Sequence, residues 1–142
     1  MKHKIFGIMA AIREKQAIFL EKQLKNAGIN DLHHTHGSIL AMLYRNPDGL
    51  MVTELADMLG RTKSTVSELL TKLEKNGYVL KTKSKTDNRA MKVNLTDKSL
   101  ALSPIFKDIS QKMFETAYSG IEDEEQELLG KTLYKVLQNF GN

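Results

Sequence analysis

The chain has 142 residues, 41% of them apolar, which suits one domain with a core, and no apolar run reaches the roughly 18 residues that would span a bilayer. It contains no cysteine, which excludes disulfides, thiolate metal sites and cysteine-based redox sensing. The net charge of +4 is unevenly spread: residues 61–95 carry 9 basic and 3 acidic side chains, against 7 and 6 in residues 1–60 and 5 and 8 in residues 96–142, the distribution expected of a phosphate-facing module on a neutral or acidic scaffold.

The N-terminal stretch MKHKIFGIMAAIREKQ begins like a signal peptide, but its apolar run breaks at Arg13-Glu14-Lys15 and then continues with helical spacing. It reads as a helix of the mature protein and the chain as cytoplasmic. Over roughly 4–26 that spacing comprises Ile5, Ile8, Met9, Ile12, Gln16, Phe19, Leu20 and Leu24, with Gly28 as a stop. A second helix is predicted over about 34–45, with Ile39, Leu40, Leu43 and Tyr44 inward, ended by the turn residues Asn46-Pro47-Asp48-Gly49. Leu50-Met51-Val52 reads as a brief extended piece. Thr53 is the expected cap of a third helix over 54–59, which Gly60 closes.

The fourth helix starts near Thr62 and ends at Asn76-Gly77; its inward stripe is Val66, Leu69, Leu70 and Leu73. Tyr78 to Thr82 and Ala90 to Leu95 alternate like strands around the loop Lys83 to Arg89. Thr96 caps a fifth helix with Leu102, Ile105, Phe106, Ile109 and Met113 on one face, and Pro104 is expected to kink it. The last helix opens at the acidic cluster Glu122 to Glu125, which favours a positive helix N-terminus, and runs through Leu128, Leu129, Leu133, Val136, Leu137 and Phe140.

These elements predict a mainly α chain with a small β-wing: a winged helix-turn-helix of about six helices and a two- or three-stranded sheet. Residues 31–95 would form the DNA-binding region. Residues 1–30 and 96–142 would form a helical dimerisation region in the same compact domain. A lone helix cannot leave a long apolar stripe in water. Packed together and against the same helices of a second chain, the terminal helices predict a homodimer, the alternative being an intramolecular bundle.

With the apolar stripe inward, the fourth helix turns Lys63, Ser64, Ser67, Glu68, Thr71 and Lys72 outward. The N-terminal residues of a recognition helix reach base edges, so Lys63, Ser64, Thr65 and Ser67, with Arg61 and Thr62 just before them, are the expected contacts. Hydroxyls allow close approach to phosphate or base, and lysine reaches guanine acceptors. Glu68 either accepts from a cytosine amino group or points along the groove. In the loop, Lys83 and Lys85 neutralise phosphates and Arg89 suits a minor groove, with Asp87 placed to hold its guanidinium. The competing reading of that loop is a solvated hairpin.

Taken together, TELADMLGRTKSTVSELLTKLEKNGYV, the wing's Asp87-Asn88-Arg89 and the following VNLTDKS resemble the MarR-type winged helix-turn-helix transcriptional regulators over essentially the whole chain. The resemblance implies a homodimer with interlocked terminal helices, its two lobes astride a palindromic operator. It implies repression relieved by a small ligand, Thr62 to Ser67 on the recognition helix, and Arg89 in the minor groove. Effectors in such proteins lodge between the dimer helices and the winged lobe, which here borders His36, with Ile12 and Met9 on the first helix. Position 68 is often basic in these proteins and is glutamate here. Zinc-sensing members use histidines in the fifth helix, and this chain has none there.

His33, His34 and His36 cluster at the start of the second helix, with Asp31 near. A specific metal site needs three or four converging donors, so the expected reading is a polar helix start with one histidine packed inward and no bound metal or cofactor. In a pocket, His36 would bond an anionic ligand or titrate near neutral pH. The seven methionines read as core filler. No phosphate loop, nucleophile elbow or acid–histidine pair at an informative spacing supports an enzyme. The remaining alternative is a winged-helix protein–protein module without DNA readout.

Overall fold

The computed structural model describes residues 1–86 and 90–141. After a single 3-10 turn at Lys2–Lys4, the helices are α1 (Ile5–Asn26), α2 (His34–Arg45), α3 (Val52–Leu59), α4 (Lys63–Lys75), α5 (Asp97–Ala101), α6 (Ser103–Ala117) and α7 (Asp123–Asn139). Three short strands, β1 (Leu50–Met51), β2 (Val79–Lys83) and β3 (Met91–Leu95), form an antiparallel sheet in the order β1-β3-β2. The chain is thus a mainly helical winged helix-turn-helix with a three-stranded wing sheet. It divides into two compact units, residues 1–110 and 111–142.

The core lies in the first unit. Ile39, Leu40 and Leu43 of α2, Leu55 of α3, Val66, Leu70 and Leu73 of α4, and Val93 of β3 are fully buried. Each such side chain contributes about 1.5–3 kcal/mol by leaving water. The predicted stripes of α2 and α4 are therefore the ones that pack, with Leu69 and Tyr44 partly buried at the margin. His36 joins them as a buried polar residue.

Two boundaries differ from expectation. Thr53 does not cap α3: the helix begins two residues earlier than expected, at Val52, and the Glu54 carboxylate accepts a hydrogen bond from the Met51 backbone N–H at 3.0 Å. The cause is long-range, because pairing of Leu50 with Val93 and Met51 with Lys92 holds Met51 extended and lets it take the cap position. The fifth helix is not kinked but broken into α5 and α6. Proline has no N–H and its ring collides with the carbonyl four residues back, so a new helix starts at Ser103 with Pro104 in its first turn, where no donor is needed.

The junction of α4, the wing and α5 is tied by hydroxyls. Thr96 Oγ1 accepts from the Ser99 N–H at 3.3 Å, capping α5, and donates to the Gly77 carbonyl at 2.6 Å. Ser99 Oγ donates to the Tyr78 carbonyl, and Tyr44 Oη donates to the Ser99 carbonyl, both at 2.5 Å.

The terminal helices keep apolar surface in water. On α1 only Leu24 is buried, and Ile12 is 60% exposed. On α7 no described residue is buried; Leu128 is 66% and Leu137 58% exposed. Within the second unit, the Glu125 carboxylate accepts from the Glu122 N–H at 3.0 Å and fixes the acidic start of α7. Among the described residues, no helix is long and apolar enough to cross a membrane.

Candidate nucleic-acid interface

The turn between α3 and α4 is built by local chemistry. Gly60 takes the left-handed conformation (φ 62°, ψ 37°), and the Arg61 N–H bonds the Ala56 carbonyl at 3.0 Å, closing α3. Thr62 is extended, and its Oγ1 accepts from the Thr65 N–H at 3.2 Å, opening α4. The Thr62 hydroxyl proton goes to Thr65 Oγ1 at 2.9 Å, leaving the Thr65 hydroxyl proton for an outside acceptor. Behind this start, Val66, Leu70 and Leu73 anchor the helix in the core.

The opposite face carries the polar set. Arg61, Thr62, Lys63, Ser64, Glu68 and Lys72 are exposed, and Thr65 and Ser67 half-buried. Thr71 turns its hydroxyl back to the Ser67 carbonyl at 2.9 Å, so it is partly committed to the helix itself. At the far end of α4, Glu74 accepts from the Lys81 N–H at 3.1 Å and joins the helix to the first wing strand.

The register of the wing places Thr82 opposite Lys92 and Leu80 opposite Asn94 on one face. Lys83 and Lys85 are exposed at its outer end. Together with Lys92, Met51 and Glu54 they line a groove of about 600 Å³ between the wing and the start of α3. Asp87 and Arg89, two of the expected contacts, lie outside the described residues. Among the described residues, no carboxylate pairs with Lys63, Lys72, Lys83 or Lys85. Cations without acidic partners on one helix face and the adjoining wing are what a phosphate backbone neutralises.

Lys92 was absent from the expected set. Its signal was present in the period of two, because Met91, Val93 and Leu95 face the core and leave Lys92 and Asn94 on the other side.

The histidine cluster forms the expected polar helix start with one histidine, His36, packed inward. His36 is 3% exposed, and its Nδ1 accepts the His33 backbone N–H at 3.0 Å, completing the first turn of α2. Burial, aided by the positive charge of Lys72, pushes its pKa down to about 4. The expectation that His36 titrates near neutral pH is thereby overturned: the ring is neutral there. Glu21 of α1 accepts from both the His34 backbone N–H at 2.9 Å and the His34 Nδ1–H at 2.8 Å, which lowers the carboxyl's pKa.

Met9 and Ile12 lie on α1, twelve and nine residues before Glu21, or about 18 and 14 Å along the axis at 1.5 Å per residue. One chain therefore does not gather Met9, Ile12 and His36 into one pocket. No group of three or more His, Asp or Glu side chains among the described residues is placed to hold a metal ion.

Comparison with known proteins agrees with this arrangement. Residues 32–91, from α2 to the start of β3, match the sequence profile of the MarR family. The chain is 30% identical over 112 residues to the HTH-type transcriptional regulator SarZ of Staphylococcus aureus strain MRSA252, covering 79% of this chain and 74% of that one. Among solved structures, it resembles a MarR transcriptional regulator from Methanosarcina mazei Go1 (TM-score 0.75, 25% identity, 96% of each chain). It also resembles S. aureus MepR in its complex with DNA (TM-score 0.74, 28% identity, 93% of this chain and 95% of that one).

Proposed function

The chain belongs to the MarR family, and from that premise we propose that it is a sequence-specific DNA-binding regulator, acting as a homodimeric repressor on a palindromic operator. The observation that carries this reading is the cationic face of α4 and the wing, free of acidic partners among the described residues. The likeness to a regulator solved on DNA supports it.

In this proposal α4 enters the major groove. Lys63, Ser64, Thr65 and Ser67 meet base edges and the nearest phosphates, and Arg61, Thr62 and Lys72 hold the flanking backbone. Glu68 accepts from a cytosine amino group, and so biases the half-site toward a C·G pair. Lys83 and Lys85 pair with phosphates beside the minor groove, where Arg89 enters, its guanidinium held by Asp87.

The dimer rests on the apolar surface that α1 and α7 keep in water. The small-molecule effector that relieves repression also needs the dimer: a pocket combining His36 with Met9 and Ile12 must take α1 from the partner. His36 there is a neutral hydrogen-bond donor through Nε2.

Selection of bound fragments from a random duplex pool tests the proposal. Enrichment of a palindrome with half-sites about one helical turn apart supports a two-fold reader. Enrichment of nothing above background defeats it and favours a protein-docking winged helix.

A further inference from the structure

Between α1 and the winged lobe runs the segment 27–33, and Asp31 in its middle reaches across to the far end of the recognition helix. Its Oδ1 accepts a hydrogen bond from Tyr78 Oη at 2.9 Å, and its backbone carbonyl accepts from Asn76 Nδ2 at 3.3 Å. Tyr78 sits where α4 ends and the wing begins. Its N–H closes α4 on the Leu73 carbonyl at 2.8 Å, its carbonyl accepts from Ser99 Oγ, and β2 starts at the next residue. The ring is 3% exposed, with Lys98 Nζ 4.2 Å above its centroid. Tyr78 is thus fixed from below by α5, and its hydroxyl is held by a carboxylate that belongs to the continuation of α1.

We propose that Asp31, acting through the Tyr78 hydroxyl, is a positioning residue that sets the pitch of α4 and the wing relative to α1, and so the half-site spacing that a dimer accepts. The inference rests on the duplex-reading proposal above. In a two-fold dimer held by its terminal helices, the distance between the two recognition helices depends on how each lobe is set on its own α1. On the opposite flank of the same elbow, Glu21 already fixes the first turn of α2 to α1. A lobe braced at both flanks presents α4 at one angle. With the Asp31 brace gone, Glu21 and the buried Leu24, Ile29 and Leu32 still hold α1 to the lobe, but the far end of α4 loses its tie to that segment.

One added base pair between half-sites displaces the second by roughly 3.4 Å and rotates it by roughly 35°. The experiment compares binding of the selected operator with one lengthened by a base pair, using the full-length chain and three variants. Tyr78→Phe keeps the ring and its packing but removes the hydroxyl, and Asp31→Ala removes the acceptor. Asp31→Asn keeps an amide oxygen able to accept from Tyr78. The preference for the selected spacing is expected to fall about tenfold in Tyr78→Phe and in Asp31→Ala, the size of one lost charge-assisted hydrogen bond. Asp31→Asn is expected to retain it, dimer mass is expected to match the unmodified protein in all three, and melting temperature is expected to fall in Tyr78→Phe and Asp31→Ala by only the few degrees that one hydrogen bond is worth. A merely structural role would lower stability and affinity without altering the spacing ratio. Any other pattern of spacing ratios among the three variants overturns the assignment. An unmodified chain that binds no duplex overturns the underlying reading instead, and that control tells the two failures apart.

Discussion

Two glycines with positive φ do different work. Gly60 (φ 62°) ends α3 in open space, where an added Cβ would meet nothing within 4 Å, so Gly60→Ala carries only left-handed strain, about 1–2 kcal/mol. Gly49 (φ 91°) lies where the turn after α2 runs against β3, and an added Cβ would come within 2.7 Å of the Val93 carbonyl oxygen and 2.6 Å of Asn94 Nδ2. Strain and collision add there, so Gly49→Ala is expected to cost upwards of about 3 kcal/mol. Urea unfolding of both variants measures the difference, and equal losses would contradict the close approach at Gly49. His36 gives a pH signature at the same scale. Its folded pKa of about 4 lies below the ordinary 6.5, so its neutral form stabilises the fold fully above pH 6.5. That contribution, on the order of 2–3 kcal/mol, is lost as pH falls from 6.5 toward 4. His36→Gln, which keeps an acceptor for the His33 N–H, is expected to flatten this part of the stability–pH curve. An unchanged acid limb in the variant would assign it to other groups.

Among the elements, the proposal gives α4 the reading of DNA, and the start of that helix depends on one side chain. Thr62→Ala removes the acceptor for the Thr65 N–H and is expected to cost about 1 kcal/mol of stability. It is also expected to weaken operator binding, because the residues proposed to read bases lie in the first turn. Arg89→Ala should weaken operator binding by about 1–3 kcal/mol without changing the dimer, and equal affinity in variant and parent would refute the wing's role.

The elements that local rules govern were legible in the chain itself. The limits of α2 match the predicted ones because helical spacing meets turn chemistry at its C-terminal end, and Gly60 closes α3 while Thr62 and Gly77 punctuate α4 as cap and stop. What escaped depends on distant partners. The start of α3 is set by β1 pairing with β3 some forty residues away. The Asp31–Tyr78 bond spans 47 positions. The outward face of α4 was readable from its stripe, whereas Lys92 required the strand period to be followed to its second face.

At the scale of the whole molecule, the exposed leucines of α7 and isoleucines of α1 explain why the proposal needs two copies. Burying one leucine is worth about 1.5–3 kcal/mol, and two-fold symmetry counts each twice. Leu128→Asp with Leu137→Asp is therefore expected to give a monomer by sedimentation, folded in its winged lobe but weak on the operator. A stable dimer from that variant would overturn the interface. Electrostatics adds the most direct test. Equilibrium binding of a selected operator fragment is measured between 50 and 200 mM salt. If the α4 and wing cations neutralise six to ten phosphates, affinity falls by roughly 10³–10⁵ over that range, linearly in log salt. An affinity indifferent to salt would contradict the claim that this surface grips duplex DNA.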